Sequence, residues 1–539
     1  MLNGLDNPSG WRRLDLKREA AKLSKRSLTA LGLAILCGLV AALPAPHLVR
    51  DLFAALSLFS VAVAAWDVEV GLLLLVAYLP FRVWIQAMVP TPLVFVPDIV
   101  TLAIVARLLV LHPDQIERLD TIEILTVVFA FFGLVATLHA HVPLKGAILE
   151  LRDLALFVVL YAAVRRLIRL GDGPRPEFWI RMVPIAIAAI AIVGVQGMLQ
   201  TFVIGHPFLL PAKMAQSQLH VSAVNVGRPY GWVDNPNTFG ELGFLALLLL
   251  FGTRSQGVIK RPALALILGA FFSAMVVLSF SRTAYLTVLV AAIVLILFTQ
   301  SRMERLAIGS AVVAMALAIA LVPGARIRTV GSGRVVVAAA RATTHHHATS
   351  SPSHHVRSTT ASHHSHIAVH RRSHAVIAVF SRSYLARSER AGRLHNIRIA
   401  LHLVKHHPLG TGLGTFGSSG SKAFGSNLKG IPKNFYADDN YIVVLVETGF
   451  LGTLAFLALG LSIFDRLRKS NAPLRNRQLA GVLFLSLIIM SFTGDAMEQL
   501  NLTIYPWLAM TILVAGEEVA SSLLGKRRAT EDSAAAKPA

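Results

Sequence analysis

The residues best suited to chemistry are a few arginines and carboxylates in short polar breaks between long apolar runs. Arg228 stands in the segment 227–238, Arg282 separates two apolar runs, and Asp438 and Asp439 directly precede another. The planar guanidinium group of arginine is permanently charged and binds phosphate and carboxylate groups through paired hydrogen bonds. A carboxylate can accept a proton from a reacting hydroxyl group. The pattern therefore indicates anion binding and general base catalysis.

Each of these assignments has a simpler alternative. Arg282 could extend to the lipid headgroups instead of binding a ligand. Arg228 lies at the mouth of an apolar bundle, where an arginine side chain costs free energy unless an anion pairs with it. Asp438 and Asp439 could be salt-bridge partners of the surrounding basic residues. In the break at 227–238, Pro and Gly exclude a continuous helix, and Asn237 or Thr238 can cap the following span.

A second polar segment combines a helix with a glycine run. Residues 393–401 begin an amphipathic helix, which we expect to stop at His407 because Pro408 follows. The run Leu409–Phe416 has glycine at three alternate positions, the second and third being Gly412 and Gly414. Alternate glycines allow either a sharp turn or close approach of the backbone to a ligand. The motif is weak by itself, and no Rossmann helix follows it.

The composition predicts where these segments lie. Hydrophobic residues make up 55% of the 539 residues and charged residues 15%, and the mean hydropathy is +0.62. Each membrane span needs roughly 17–25 mostly apolar residues, and runs this long favour helices over outer-membrane strands. The predicted fold is an all-α polytopic bundle of about 12–14 helices, with spans near 28–45, 51–66, 69–86, 97–112, 121–139, 147–165, 178–203, 238–252, 262–280, 284–300, 306–322, 441–464, 478–494 and 502–520.

The distribution of basic residues predicts the orientation. Lys and Arg cluster in the head, in several short loops and in the tail, and all clusters fall on one side if both termini are cytoplasmic. The polar breaks at about 204–237, 281–283 and 323–440 then lie together on the outer side. The first apolar run, 28–43, follows a long basic head and is interpreted as a retained anchor. The formal charge of +22 is attributed to topology and one basic loop, and no nucleic-acid partner is expected.

Part of the long outer loop has an unusual composition. Residues 325–388 contain no Asp, Glu, Lys, Asn or Gln, but include runs of two and three histidines. Metal binding is disfavoured because acidic and cysteine ligands are missing there, and the single cysteine, Cys37, lies in an apolar run. Disorder is the favoured interpretation, and a shifted reading frame is an alternative. No metal or cofactor is expected.

These features divide the chain into segments. The basic N-terminus covers 1–27, the N-terminal transmembrane helices 28–203, and a first core part 204–322 that includes the loop 204–237. The long periplasmic loop covers 323–440, the C-terminal helices 441–520, and a cytoplasmic tail 521–539.

The ordered set of motifs resembles the O-antigen ligase/polymerase superfamily of bacterial membrane glycosyltransferases. The matching elements are Arg228 through Asn237, Ser-Arg-Thr at 281–283, Arg393 with the glycine run after Pro408, and 439–452, which starts Asp-Asn-Tyr and ends Glu-x-Gly-Phe-Leu-Gly. The similarity covers about 225–465. No single motif is specific, but their order and common predicted side are fairly specific.

The resemblance implies a function at the outer leaflet of the inner membrane. Members transfer glycans from polyprenyl-diphosphate-linked oligosaccharides, without a nucleotide sugar or metal. It implies that Arg228 and Arg282 stabilise the leaving diphosphate and that Asp439 or Asp438 acts as base. The implied substrate-binding residues are Arg393, Asn237, Gly412, Gly414 and Asn440. The lipid bilayer is the surrounding partner, and flippase and chain-length regulator proteins are candidate protein partners.

One departure from the resemblance favours a polymerase. Ligases of the superfamily typically carry His-Asn where this chain has Asp439-Asn440, whereas polymerases often carry an acidic residue there. Transfer of glycan to lipid A core or to protein by a ligase is the alternative. A polysaccharide-related transporter is a second alternative, but the sequence has no convincing internal repeat and its polar residues gather at the interface.

Overall fold

The computed structural model describes residues 63–88, 96–113, 119–175, 177–204, 229, 231–233, 235–254, 261–298, 302–321, 393–417, 428, 437, 439–492, 494 and 496–516. Every regular element in these ranges is a helix, as the sequence predicted. The histidine-rich stretch 325–388, the first predicted span and most of the second lie outside the described residues. The total number of spans therefore stays a prediction.

The described residues form fourteen α-helices, numbered in chain order. They are α1 (Val68–Tyr78), α2 (Arg82–Met88), α3 (Val96–Leu111), α4 (Thr121–His139), α5 (Leu144–Arg169), α6 (Phe178–Met198), α7 (Pro236–Arg254), α8 (Pro262–Leu278), α9 (Arg282–Phe298), α10 (Arg302–Leu321), α11 (Arg393–His406), α12 (Asn440–Lys469), α13 (Leu474–Ser491) and α14 (Leu500–Leu508). A 3₁₀ turn, Leu79–Phe81, joins α1 to α2, and π-helical turns extend α6 through Leu199–Ile204 and α14 through Ala509–Ala515.

Local sequence signals explain where several helices start and stop. The Asp120 side chain and Glu123 form a capping box at the start of α4, satisfying N–H groups that have no partner within the helix. Pro262 occupies the first position of α8, where its missing N–H costs nothing. The amphipathic helix α11 ends at His406, just before His407 and Pro408, which confirms the predicted stop.

Helix length and hydropathy support a membrane protein. Among the described residues, four segments are long and apolar enough to cross a bilayer: Val68–Ile85, Thr121–His139, Phe178–Ile204 and Asn440–Lys469. Five apolar helices are shorter, between 10 and 17 residues. At about 1.5 Å of rise per residue, a 17-residue helix approaches the ~30 Å hydrocarbon thickness. The longest of the shorter helices thus approach the length of a span.

Buried ion pairs join helices at one end of the bundle, which we call the basic end. Arg165 and Arg166, at the end of α5, contact Glu123 at the start of α4 at 2.9 and 2.6 Å. Arg466, near the end of α12, contacts Asp120 at 3.2 Å. The arginines belong to the basic clusters of the sequence. Because the start of α4 meets the ends of α5 and α12, α4 runs antiparallel to both helices. The opposite end, where α7, α9, α12 and α14 begin, is called the polar-turn end.

The main core is a single large apolar cluster. It includes buried side chains from α1, α5, α6, α7, α13 and α14, with Trp179, Tyr161 and Phe239 among the largest. The long helix α12 packs along α4 and contributes Leu459 and Ile463 to the same cluster. Many apolar side chains on the outer helices are exposed, among them Leu266, Leu297 and Leu461. Exposed apolar side chains of this kind suit contact with lipid.

Candidate functional site

The starts of α7 and α9 meet at the polar-turn end. A Cβ atom placed on Gly240, in the second turn of α7, would lie 2.3 Å from the Ser279 Oγ and 3.3 Å from the Ala284 Cβ. The turn between α8 and α9 therefore sits directly on α7. Phe280 in this turn has a left-handed φ of 49°, which is uncommon for a residue with a side chain. The start of α7, which follows the first polar break, and the Ser-Arg-Thr break are thus neighbours.

Asp439 caps the N-terminus of α12. Its Oδ1 accepts hydrogen bonds from the N–H groups of Tyr441 and Ile442, at 3.0 and 3.3 Å. The residue has extended backbone angles, as N-cap residues do, and its side chain is half-buried. The helix N-terminus carries partial positive charge, which stabilises a negative charge at this position. The predicted base is therefore a structural cap as well.

Asn440 joins the start of α12 to the loop before α14. Its Nδ2 donates to the Glu498 Oε1 at 2.9 Å, and its Oδ1 accepts from the Met497 N–H at 3.0 Å. Asn440 is 2% exposed and Glu498 is 3% exposed. The next residue in that loop, Gln499, is bonded through its Oε1 to the Thr238 hydroxyl at 2.9 Å. The loop thus connects the start of α12 to the start of α7.

The glycine run is held by a buried carboxylate of α12. Glu447 is 1% exposed and accepts hydrogen bonds from the backbone N–H groups of Gly414, Thr415 and Phe416, at 2.8, 2.8 and 2.7 Å. Three donors converging on one carboxylate stabilise its negative charge inside the protein. Glu447 therefore fixes the conformation of the loop that follows α11.

The same loop fills a break in α12. Gly449 has φ 67° and ψ −166°, which interrupts the helix between Asn440 and Lys469. The N–H groups of Thr411 and Gly412 donate to the carbonyl oxygens of Val446 and Glu447, at 2.9 and 3.0 Å. The backbone groups that the break releases are thereby satisfied, as buried backbone requires.

Close packing explains the glycines at 412 and 414. Both have left-handed φ angles, of 92° and 76°. A Cβ atom on Gly414 would lie 2.6 Å from the backbone carbonyl carbon of Gly146, and one on Gly412 would lie 2.9 Å from a Val142 side-chain carbon. The Leu413 N–H also donates to the Thr137 hydroxyl at 3.0 Å. The backbone thus approaches α4 and α5 closely, whereas the sequence analysis considered a ligand or a sharp turn. The substrate-binding roles of Gly412 and Gly414 stay predictions.

An apolar groove reaches the polar-turn end between α5, α12, α13 and α14. Its volume is about 390 Å³, and its wall includes Tyr441, Phe456, Phe492 and Met497. Tyr441 stacks on Phe492 with ring centroids 4.2 Å apart. Met497 links the groove to the polar residues, because its side chain lines the groove while its N–H bonds Asn440. Exposed Leu457 and Leu461 lie along the side of the groove.

A comparison with known families supports part of the interpretation of the sequence. Residues 264–457 match a family model described as O-antigen ligase, and this range includes Arg282, the glycine run, Glu447 and the start of α12. Over these residues the match supports the resemblance to the O-antigen ligase/polymerase superfamily. No curated protein matches the chain. The match supports an activity of the O-antigen ligase or polymerase type in general terms.

The three arginines that the sequence singled out differ in where they lie. Arg282 is the first residue of α9 and is exposed at the polar-turn end. The N–H groups and the dipole at the start of a helix favour negative charge. Arg393 is the first residue of α11. Arg228 and Asp438 lie outside the described residues, and their predicted roles stay predictions.

The cap at the start of α7 is a correction to the sequence analysis. Asn237 and Thr238 were the expected caps, but the helix begins at Pro236. The Asn235 Oδ1 accepts the bond from the Thr238 N–H at 2.9 Å. Proline prefers the first helical position, which makes the preceding residue the cap. Asn237 is half-buried in the first turn, and its substrate-binding role stays a prediction.

Sequence reasoning missed Glu498 and Gln499. The available signal was the polar break 494–499 between the last two predicted spans, which the basic clusters also assign to the outer side. Carboxylates near such a break are candidates for a functional site. No group of His, Cys, Asp and Glu residues suited to a metal occurs among the described residues.

Proposed function

We propose that this protein polymerises polyprenyl-diphosphate-linked oligosaccharide repeat units into O-antigen or exopolysaccharide at the periplasmic face of the inner membrane. The observation that carries the proposal is the apolar groove whose end lies beside Asp439 and Asn440. Such a site suits an amphiphilic substrate, with its polyprenyl chain in the groove and its diphosphate and sugars at the polar-turn end.

The charges at that end support diphosphate binding. The helices α7, α9 and α12 all begin there, and the N-terminus of a helix favours anions through its free N–H groups and its dipole. Arg282 adds a permanent positive charge at the start of α9. In the proposed reaction, Arg228 and Arg282 stabilise the negative charge that develops on the leaving diphosphate.

The proposed transfer breaks one bond and forms one. The bond between the sugar anomeric carbon and the diphosphate oxygen breaks, and the lipid diphosphate leaves with the bonding electrons. The acceptor hydroxyl oxygen forms the new glycosidic bond, and Asp439 takes its proton. A fixed carboxylate supports this role, and Asp439 is held by two backbone N–H groups at the end of a helix.

The acidic residue at 439 favours polymerisation over ligation. A ligase of this superfamily typically has histidine at the matching position, as the resemblance implies. In a polymerase both substrates carry a lipid diphosphate, so one donor preparation should suffice. Transfer to lipid A core or to protein remains the second candidate, because the family match covers both kinds of enzyme.

The decisive experiment supplies only a lipid-linked repeat unit to the purified protein in nanodiscs. A ladder of longer lipid-linked glycans, with release of polyprenyl diphosphate, supports the polymerase. If no ladder forms but added lipid A core or an acceptor protein becomes glycosylated, the ligase alternative is correct. Uptake of the intact substrate into sealed vesicles without any new glycosidic bond would instead support the transporter.

The proposed location requires the polar-turn end to face the periplasm. The basic end carries Arg165, Arg166 and Arg466, and the positive-inside rule assigns such clusters to the cytoplasm. Reporter fusions after residues 220, 258, 430 and 470 test this orientation. Periplasmic signals are expected at 220 and 430, and cytoplasmic signals at 258 and 470. A cytoplasmic signal at 220 or 430 would contradict the proposed site.

A further inference from the structure

The loop 496–499, called here the junction loop, forms cross-helix hydrogen bonds from three consecutive residues. Met497 donates its N–H to Asn440, Glu498 accepts from Asn440, and Gln499 is bonded to Thr238. The Thr503 hydroxyl lies within 3.1 Å of three carbonyl oxygens of the loop, those of Ala496, Met497 and Gln499. The loop is therefore fixed to α14 and holds α7 and α12 at their starts.

Stability alone does not favour a carboxylate at position 498. A buried charged group loses its hydration, and replacing a buried polar or ionic pair with well-packed apolar residues is often neutral or stabilising. Glu498 and Asn440 are both nearly inaccessible, at 3% and 2% exposure. The best-supported benefit of such buried polar contacts is that they fix one arrangement of the elements they join.

The arrangement fixed here is that of the predicted base. Both side-chain polar atoms of Asn440 are used, so the Met497 N–H and the Glu498 carboxylate determine its orientation. Asp439 is the adjacent residue, and its own carboxylate is bonded to the first turn of the same helix. A shift of Asn440 would therefore carry Asp439 with it.

We propose that Glu498 is a positioning residue of the glycosyl-transfer site. Through Asn440 it holds the Asp439 carboxylate in register with the end of the apolar groove, where the acceptor hydroxyl must lie. This inference rests on the proposed function. It assigns Glu498 no proton transfer and no contact with substrate, so a neutral hydrogen-bond acceptor of the same shape can replace it.

Four variants test the role of the carboxylate. Glu498→Leu removes the acceptor and is expected to lower kcat about 100-fold, the cost of misplacing a reacting group by about 1 Å, with KM for the lipid-linked donor nearly unchanged. Glu498→Gln keeps an acceptor for Asn440 and should recover most of that loss. Asn440→Asp places a second carboxylate beside that of Glu498, and the repulsion between them should lower kcat. Asn440→Asp with Glu498→Gln restores an amide–carboxylate pair and should recover activity.

Thr511→Val is the matched control. Thr511 is 2% exposed, and its hydroxyl donates to the carbonyl oxygen of Trp507 in its own helical segment. The change therefore removes a buried hydrogen bond that does not join two helices. Its kcat should match the wild type, and melting temperatures of all variants should show folded protein. Each rate is scored by polymer formation or, if the wild type glycosylates an added acceptor instead, by that product.

The outcomes separate this inference from the proposed function. A ligase product from the wild type overturns the polymerase proposal, but the pattern of loss and rescue would still support Glu498 as a positioning residue. Full activity of Glu498→Leu would overturn the inference, as would failure of the double variant to recover. Loss of activity in Glu498→Gln, equal to that in Glu498→Leu, would show that the charge itself acts in the reaction. A wild type with neither activity overturns both.

Discussion

Asp439 can be tested as a base separately from its role as a helix cap. The cap consists of two bonds to Oδ1, at 3.0 and 3.3 Å, of which the second is at the long limit of hydrogen bonding. Replacing an Asp N-cap with alanine typically costs about 1 kcal/mol, whereas asparagine caps about equally well. We therefore expect Asp439→Asn to keep the stability of the wild type and Asp439→Ala to lower it by about 1 kcal/mol.

Asp439→Asn and Asp439→Ala should both lose the contribution of the general base to the rate. Loss of a general base lowers the rate about 10²–10⁴-fold, which raises the barrier by about 3–5 kcal/mol. A stability loss of about 1 kcal/mol leaves a protein with 5–15 kcal/mol of stability almost fully folded. Lost capping therefore cannot account for a rate loss of this size. Asp439→His introduces the residue that the ligases typically carry at the matching position. It should keep partial activity, because histidine titrates near neutral pH and can act as a base there.

The chain offers a closely matched control at Asp67. Its Oδ1 accepts from the N–H groups of Glu69 and Val70 at 2.9 and 3.3 Å, the same cap geometry at the start of α1. Asp67→Asn and Asp67→Ala should match the Asp439 pair in thermal melting but leave the rate of polymer formation unchanged. A wild-type rate in Asp439→Asn would refute the base assignment and leave Asp439 as a cap only.

Three further predictions concern other parts of the site. Arg228→Ala and Arg282→Ala should each abolish polymer formation in a deletion strain at matched membrane levels. Lysine at either position should restore little activity because it lacks the planar guanidinium group. Full activity of both lysine variants would indicate that these side chains only anchor to lipid headgroups. Glu447→Gln should leave one of three N–H groups without an acceptor and cost about 1–3 kcal/mol in thermal or denaturant unfolding, and unchanged stability would contradict its structural role. Gly460 lines the groove with open space around it. Gly460→Leu should therefore raise KM for a long-chain donor more than KM for a short-chain analogue. Gly309→Leu, also in open space but away from the groove, should leave both KM values unchanged.

The helices were largely predictable because their signals are local. The run predicted at 121–139 is helix α4 with the same limits, and Pro408 stops α11 as expected. The cap of α7 was also within reach of the sequence, since Pro236 marks the first helical position and makes Asn235 the cap. The error arose because several adjacent residues have side chains that can cap a helix.

The contacts of the site were not predictable because their partners are distant in sequence. The Leu413 N–H donates to Thr137, 276 residues away, and Asn440 donates to Glu498, 58 residues away. Alternate glycines indicate close approach of the backbone, but they do not say whether the neighbour is a ligand or another helix. The break of α12 at Gly449 was missed for the same reason, since the loop that satisfies it follows α11.

Helix α12 is held at both ends, and this explains how an apolar bundle can position a polar site. At the basic end Arg466 bonds Asp120 of α4, and at the polar-turn end Asn440 bonds the junction loop. Asn440 and Glu447 are seven residues apart, so they lie near one face of the helix, two turns from each other. Along that face Asn440 fixes the loop before α14 and Glu447 fixes the glycine run. Sliding α12 along its axis would break all three attachments at once, so Asp439 keeps its place although the surrounding apolar contacts are not directional.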